Sequence, residues 1–218
     1  MNNTWIVVPV ISNDVDLSSF VDSLSGGYTA PEFFEKMVFN QETQLLEKEE
    51  VSHPYFDQAS PDFSNRVIFI NKVAGYTKYD GVKHIEDFEN INIYRYWNTG
   101  FEYAISNGAD SVVLLNGVVD LDTFAIKDAY DVFVADGKEV VNIADGAMVL
   151  ISATSSIRAD EQFQIWFGDN DLYRTAENVS TVSRSEFFQL NYLVDPKSIE
   201  NFDSIVASDQ AKYNAKWN

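Results

Sequence analysis

The segment VVLLNGVVDL, residues 112–121, has the apolar composition of a buried β-strand that ends at Asn116 and Gly117. The preceding chain, residues 92–111, predicts a short strand, a turn, a helix that ends at Gly108 and a second turn. Strand–helix–strand units build parallel sheets that are covered by helices. The sequence therefore predicts an α/β fold, and open α/β sheets bind ligands at the carboxyl ends of their strands.

Three other segments complete the predicted centre of the sheet. WIVVPVI (residues 5–11) and NRVIFINKV (residues 65–73) are strongly apolar, as central parallel strands are, and INIYRY (residues 91–96) is a shorter strand. With helices on both faces, these strands predict a three-layer α/β/α fold around one twisted, mostly parallel sheet. The strands expected side by side are residues 5–11, 67–73, 92–96 and 111–118.

Alternating helical and extended patterns make up the rest of the chain. Residues 28–65 predict an insert with a hairpin that turns at Asn40 to Thr43, and the polar residues 74–90 predict a loop. No linker divides the chain, so a single domain over residues 1–218 is expected. The first helix is predicted over residues 14–25, with a cap at Asn13 or Asp14. Further helices are predicted over residues 120–137, from about Asp169 and around residues 209–217. Residues 139–153 predict a strand, a turn and a second strand.

Composition excludes several classes of function. The chain has 34 acidic and 15 basic residues, for a formal charge of -19, which disfavours a nucleic-acid partner. It has no cysteine, which excludes disulfides, thiolate metal sites and a cysteine nucleophile. Neither a signal-peptide pattern nor an apolar run of membrane-spanning length is present, so we expect a cytoplasmic protein without a membrane span.

Four segments, in this order, resemble motifs of one enzyme family. They are IVVPVISND (residues 6–14), YWNTGFEYAISNGADSVVLLN (96–116), ADEQFQIWFGDNDLYR (159–174) and DQAKYNAKWN (209–218). The chain resembles GT-A glycosyltransferases of the inverting, family-two-like kind, and most resembles the compact versions that bacteriophages encode. The resemblance implies transfer of a hexosyl or pentosyl group from a nucleotide-sugar, with a UDP-sugar favoured, to a hydroxyl of a glycan, a protein or a modified base. A phage origin would place the protein in the host cytoplasm.

The donor site is predicted from this resemblance and from the strand ends. The resemblance places an Asn98-x-Gly100 turn at the start of a helix beside the donor diphosphate, where free amides bind phosphate. Asn71 stands where the family usually has an aspartate that contacts the base, and Arg95 and Lys72 either pair with phosphate or with nearby acids. The predicted donor-binding residues are Pro9, Val10, Ile11, Asn71, Arg95, Asn98, Gly100 and Asn116.

The metal site of the family is not reproduced in this sequence. Asn116, Gly117 and Val118 fall on the position of the Asp-x-Asp motif, but hard cations such as Mg²⁺ and Mn²⁺ prefer charged oxygen ligands. The late metal-binding histidine of the family is also missing. Two alternatives follow: Asp120 or Asp122 holds the metal, or no metal binds and a helix dipole, backbone amides and a cation neutralise the diphosphate. We expect weak or absent Mn²⁺ dependence.

Asp169 matches the position of the catalytic base, which takes a proton from the acceptor hydroxyl. A purely structural alternative is that Asp169 is the N-cap of a helix, because aspartate favours that position. The residues predicted to contact the acceptor are Asp145, Gly146, Asp160, Glu161, Trp166 and Asp171.

Two other functions compete with sugar transfer. A catalytically silent GT-A domain that binds a nucleotide-sugar or glycan is favoured by the missing Asp-x-Asp motif and opposed by Asp169. A nucleotidyltransferase is disfavoured, because the loop after the first strand, PVISNDVD (residues 9–16), is neither glycine-rich nor basic.

Overall fold

The computed structural model describes residues 3–14, 16–27, 29–119, 123–143, 148–176, 179–182 and 195–218. The strands are β1 Thr4–Val10, β2 Phe33–Asn40, β3 Leu45–Ser52, β4 Val67–Asn71, β5 Val82–Glu86, β6 Ser111–Leu115, β7 Val140–Ile143, β8 Met148–Ser152 and β9 Val179–Val182. The α-helices are α1 Ser18–Leu24, α2 Ile93–Ser106, α3 Thr123–Asp136, α4 Gly168–Thr175 and α5 Phe202–Trp217, and Pro196–Ser198 form a short 3-10 helix.

One mixed sheet carries the fold. Its strands lie in the order β5-β4-β1-β6-β8-β7-β9. β4 and β6 pair with β1 in parallel, β5 pairs with β4 in parallel, and β8 is antiparallel to both β6 and β7. After β1 the chain adds β4 and β5 on one side of β1, and it later adds β6 on the other side. The strand order therefore reverses between β1 and β6, and this boundary is the topological switch point of the sheet.

Helices cover both faces of this sheet, because alternate residues of the buried strands point to opposite sides. Ile6 and Val8 of β1 pack in a cluster with Phe20 of α1 and Ile126 of α3. On the other face, Val7 joins a cluster with residues of α2 and α4. The predicted three-layer α/β/α arrangement is confirmed.

The predicted strand at residues 92–96 is wrong. This segment is the start of α2, where the Asn92 side chain accepts the backbone N–H of Arg95 at 2.9 Å as an N-cap. Buried residues then recur at helical spacing, from Ile93 through Trp97 to Phe101 and Ala104. The parallel strand next to β4 is instead β5, within the predicted loop 74–90. β5 is an edge strand, and each of its residues is either partly buried or exposed. It therefore lacks the apolar run that is typical of a central strand.

Most other element predictions are confirmed. β2 and β3 form the predicted hairpin, and α3, β7, β8 and α4 occur where the patterns placed them. α5 contains the predicted residues 209–217 but begins earlier, at Phe202. The predicted turn at Asp145 and Gly146 lies outside the described residues. α1 begins at Ser18, so neither Asn13 nor Asp14 caps it.

Gly100 lies in the middle of α2, where the helix contacts β1, and not in a turn. A Cβ at this position would approach within 2.3 Å of Val7 Cγ1. We therefore expect Gly100→Ala to lower the free energy of unfolding by about 1–3 kcal/mol through overpacking, measured by urea denaturation. The double variant with Val7→Ala should lose less than the sum of the two single changes, because it removes the clashing methyls. Wild-type stability of Gly100→Ala would contradict this contact.

Candidate active site

A cleft opens at the switch point, at the carboxyl ends of β1 and β6. Its apolar part has a volume of about 200 Å³. A second, more polar cavity of about 580 Å³ shares Ile11 and Ile199 with the first. The apolar cavity is lined by Pro9, Ile11, Ile93, Asn116, Gly117, Val118, Ile165, Trp166, Asp195, Lys197, Ile199 and Phe202. This is the position at which open α/β sheets bind their ligands.

Three predicted donor-site residues reach this cleft. Pro9, Ile11 and Asn116 line the apolar cavity, and Lys72 lines the polar cavity. Val10 lies in the core cluster that contains α1 and α3 and does not line either cavity.

Asn71 ends β4 as predicted but lies in the interior, 1% exposed. Its amide nitrogen lies 3.2 Å from the carbonyl oxygen of Phe69 and 3.3 Å from that of Ile85. The same nitrogen is 3.3 Å from His84 Nδ1. Its side-chain oxygen has no hydrogen-bond partner among the described residues. The structure thus places Asn71 beside β5 and not on the wall of either cavity.

Arg95 and Asn98 bind other parts of the protein. Two nitrogens of the Arg95 guanidinium donate to the two oxygens of Asp87, both at 2.8 Å. Asn98 donates to the Ala159 carbonyl at 2.9 Å and to Glu161 Oε1 at 2.8 Å, and accepts the Ala159 N–H at 3.1 Å. The predicted Asn-x-Gly turn is therefore wrong, because Asn98 lies within α2 and holds the segment after residue 158.

Asp169 lies in the first turn of α4, two residues after the strained Phe167. Phe167 occupies the N-cap position with φ of 64°, in the left-handed region, so Asp169 is not the cap. Burial raises the pKa of the half-buried Asp169 carboxyl, opposed by hydrogen bonds from the Asn170 and Asp169 backbone N–H groups and the Tyr94 hydroxyl. A strained residue beside a carboxylate with a raised pKa is typical of functional sites.

The other predicted acceptor residues are divided between the cleft and structural contacts. Trp166 is 43% exposed and lines the apolar cavity. Lys216 lies 2.8 Å from both Asp160 Oδ2 and Asp171 Oδ1. Trp217 Nε1 also donates to Asp171 Oδ1 at 2.7 Å. Asp171 therefore fastens the end of α5 to α4, Asp160 fastens it to the segment before α4, and neither residue lines a cavity of the cleft.

Asp145 and Gly146, also predicted to contact the acceptor, lie outside the described residues, as do the metal candidates Asp120 and Asp122. Glu161 is exposed and holds Asn98 through its carboxylate.

Asp209 of α5 is a site residue that the sequence did not single out. Its side chain is fully buried, and Oδ2 accepts the backbone N–H groups of Gln164 at 2.9 Å, Ile165 at 2.9 Å and Trp166 at 3.1 Å. Its other oxygen accepts Lys212 Nζ at 3.1 Å. Asp209 thus holds residues 164–166, which form the wall of the cleft and come shortly before Asp169 in the chain. The motif DQAKYNAKWN pointed to this segment, but not to this role.

The described residues that line the apolar cavity do not fit a divalent cation held by several carboxylates. Asn116 supplies one neutral amide oxygen, and Gly117 and Val118 have no side-chain ligand. Among the described residues that line the apolar cavity, Asp195 alone carries a carboxylate. The described part of the chain contains no group of three or more histidine, cysteine or acidic side chains that could hold a metal. His53 and His84 pack against aromatic rings and line neither cavity of the cleft.

Comparisons with known proteins bear on the fold. No protein-family model and no curated protein matches the sequence. Among solved structures, a crystal structure of S. aureus TarS 1–349 superposes with a TM-score of 0.51 at 11% identity, over 98% of this chain and 72% of that one. The chain therefore shares the three-layer fold of this TarS structure.

Two further TarS structures match less closely. They are TarS 1–349 in complex with UDP and a longer S. aureus TarS, each with a TM-score of 0.48 and 12% identity. The matches cover 95% and 93% of this chain but 65% and 38% of those chains. Within the described part of this chain, no helix combines the length and apolar character needed to cross a membrane.

Proposed function

We propose that the protein transfers a sugar from a nucleotide-sugar donor to an acceptor hydroxyl, with inversion at the anomeric carbon. The observation that carries this proposal is the location of Asp169. The cleft wall formed by Ile165 and Trp166 leads directly into α4, whose first turn presents a carboxylate with a raised pKa. Asp169 lines neither cavity itself, but it follows the cleft wall within a few residues, and this supports it as the candidate base at the strand ends where open α/β sheets bind ligands.

The proposed reaction needs one proton acceptor. The Asp169 carboxylate takes the proton of the acceptor hydroxyl, and the resulting oxygen attacks the anomeric carbon. The bond from that carbon to the donor diphosphate breaks on the opposite side, and the diphosphate leaves with the electron pair. Trp166 offers an exposed aromatic surface on which the apolar face of a sugar ring can pack.

The two cavities suggest how the donor lies in the cleft. The polar cavity contains Asn13, Asp14, Lys72 and Asn90, which supply donors and acceptors for the edge of a base and for ribose hydroxyls. The apolar cavity continues from it past Asn116 to Trp166. We propose that the nucleoside occupies the polar cavity and the sugar the apolar one, with a UDP-sugar as the favoured donor and a glycan, protein or modified-base hydroxyl as the acceptor.

A second candidate function is a catalytically silent domain that binds a nucleotide-sugar. It is favoured by the lack of a carboxylate at Asn116, Gly117 and Val118. The two functions differ in one assay: an active enzyme releases nucleoside diphosphate from a nucleotide-sugar when an acceptor is added, and a silent domain binds the nucleotide-sugar without releasing it. Binding without release for every donor and acceptor in a broad panel would favour the silent domain.

The raised pKa of Asp169 predicts the acidic side of the pH profile. The base acts only when ionised, so the transfer rate should fall as the pH drops through the pKa of Asp169. Because burial raises that pKa above the ordinary value of 3.8, the fall should begin at a higher pH than for an exposed aspartate. The measurement is kcat/KM against pH, with folding checked at each pH. A rate that stays constant down to the ordinary aspartate range would contradict Asp169 as the base.

A further inference from the structure

The cleft contains a lysine that the sequence did not suggest. Lys197 lies in the short 3-10 helix Pro196–Ser198, is exposed, and lines the apolar cavity. Its ammonium makes no hydrogen bond or ion pair with the described residues. Several other cations of this acidic chain pair with carboxylates, as Arg95 does with Asp87 and Lys216 does with Asp171.

The neighbouring carboxylate, Asp195, is hydrogen-bonded to the backbone of the same turn. Asp195 Oδ1 accepts the backbone N–H of Lys197 at 2.9 Å, and the Asp195 carbonyl accepts the backbone N–H of Ser198 at 2.9 Å and its hydroxyl at 2.6 Å. These bonds hold the turn in shape, so Asp195 positions the backbone that carries Lys197. The described partners of Asp195 do not include the Lys197 ammonium.

The described cavity residues that follow β6 carry no charged side chain. Asn116, Gly117 and Val118 follow β6 and line the same cavity as Lys197. A diphosphate bound at the β1–β6 boundary would gain negative charge on the oxygen that links it to the sugar, as the bond from that oxygen to the anomeric carbon breaks. Among the described residues that line this cavity, Lys197 is the only cation, and only Asp195 offers a carboxylate to a metal.

We propose that Lys197 takes the place of the metal: its ammonium binds the diphosphate of the donor and stabilises it as it leaves, so that the donor binds without a divalent cation. This inference rests on the proposed function. A lysine ammonium is a mobile point charge with three donors and is a common ligand of phosphate groups. A preorganised cation next to a developing negative charge stabilises the transition state.

The test is calorimetric titration of the intact protein in EDTA. UDP, ADP, GDP and CDP are compared first, and the tightest binder is then compared with its own nucleoside, which lacks the diphosphate. We expect Lys197→Ala to weaken diphosphate binding about 10–100-fold, the size of a charge-assisted hydrogen bond, and to leave nucleoside binding unchanged. Lys197→Arg should keep most of the affinity, because the charge remains.

The matched control is Lys48→Ala, which makes the same change in charge on the β2–β3 hairpin. Lys48 forms an exposed ion pair with Glu35 and lines neither cavity of the cleft, so its removal should not alter binding of either ligand. A general effect of net charge would weaken binding equally in both variants and would overturn the role of Lys197.

Other outcomes separate this inference from the proposed function. Diphosphate binding that requires Mn²⁺ or Mg²⁺, and is lost in EDTA, would overturn the inference and leave the proposed function in place. Wild-type affinity of Lys197→Ala for the diphosphate would do the same. If the wild-type protein binds none of the four diphosphates, with or without Mn²⁺, both the inference and the proposed function are wrong.

Discussion

Replacing Asp169 with asparagine is expected to slow sugar transfer about 10²–10⁴-fold, the usual contribution of a general base. Asparagine keeps the shape of the side chain and its contact with the start of α4, but it cannot accept the proton of the acceptor hydroxyl. The nucleotide affinity should hardly change, because the base contacts the acceptor and not the nucleoside. The measurement is nucleoside diphosphate release at saturating donor and acceptor.

The stability of the same variant distinguishes a catalytic from a structural role. The pKa of Asp169 is raised in the folded protein, so the folded state binds its proton more tightly than the unfolded state does. The stability that this group contributes is therefore present at low pH and lost as the pH rises through the folded pKa, and at neutral pH the ionised carboxylate contributes none. Asp169→Asn should unfold at no lower a urea concentration than the wild type at neutral pH.

The control for this variant is Asp131→Asn, which removes an exposed carboxylate from α3 that pairs with Lys127. It should retain full transfer activity. Full activity in a folded Asp169→Asn protein would remove Asp169 as the base, and a large loss of stability would indicate that its role is structural.

The second large effect is expected at Asp209. Asp209→Ala leaves three backbone N–H groups without their acceptor at a fully buried position. It also removes one of the two acceptors of the Lys212 ammonium, which keeps the Gln162 carbonyl. Removal of one partner from a buried, hydrogen-bonded charge typically costs about 3–5 kcal/mol, and we expect a loss of free energy of unfolding in this range by urea denaturation. Asp209→Asn should lose less, because one oxygen can still accept the N–H groups.

Asp203→Ala is the matched control in the same helix, because Asp203 is exposed in the first turn of α5. Its effect should stay within about 0.5 kcal/mol. Equal losses for Asp203→Ala and Asp209→Ala would show that α5 does not hold residues 164–166 through Asp209.

The centre of the fold was predictable because its strands are buried on both faces. β1, β4 and β6 are fully buried along their length, so their apolar runs mark them in the sequence. α2 and β5 were assigned wrongly for related reasons: the start of α2 is as apolar and aromatic as a strand, and β5 is a partly exposed edge strand with polar residues. The local pattern of apolar residues indicates whether a segment is buried more directly than it indicates whether that segment is a helix or a strand.

The cleft residues that lie at strand ends were predictable from the sequence, and those contributed by other segments were less so. Pro9, Ile11 and Asn116 follow from the ends of β1 and β6. Asp160, Asp169 and Asp171 look alike in the sequence, and only the contacts of Lys216 show that Asp160 and Asp171 are held in ion pairs. Lys197 and Asp209 come from the distant end of the chain, and tertiary contacts alone bring them to the cleft.

The most direct test of the proposed function is a crystal structure of the protein with a non-hydrolysable UDP-sugar analogue. We expect the diphosphate at the carboxyl ends of β1 and β6, between Asn116 and Lys197, with the sugar against Trp166 and its anomeric carbon facing the Asp169 side of the cleft. A ligand bound outside this cleft, or one whose sugar points away from Asp169, would contradict the assignment of this cleft as a sugar-transfer site.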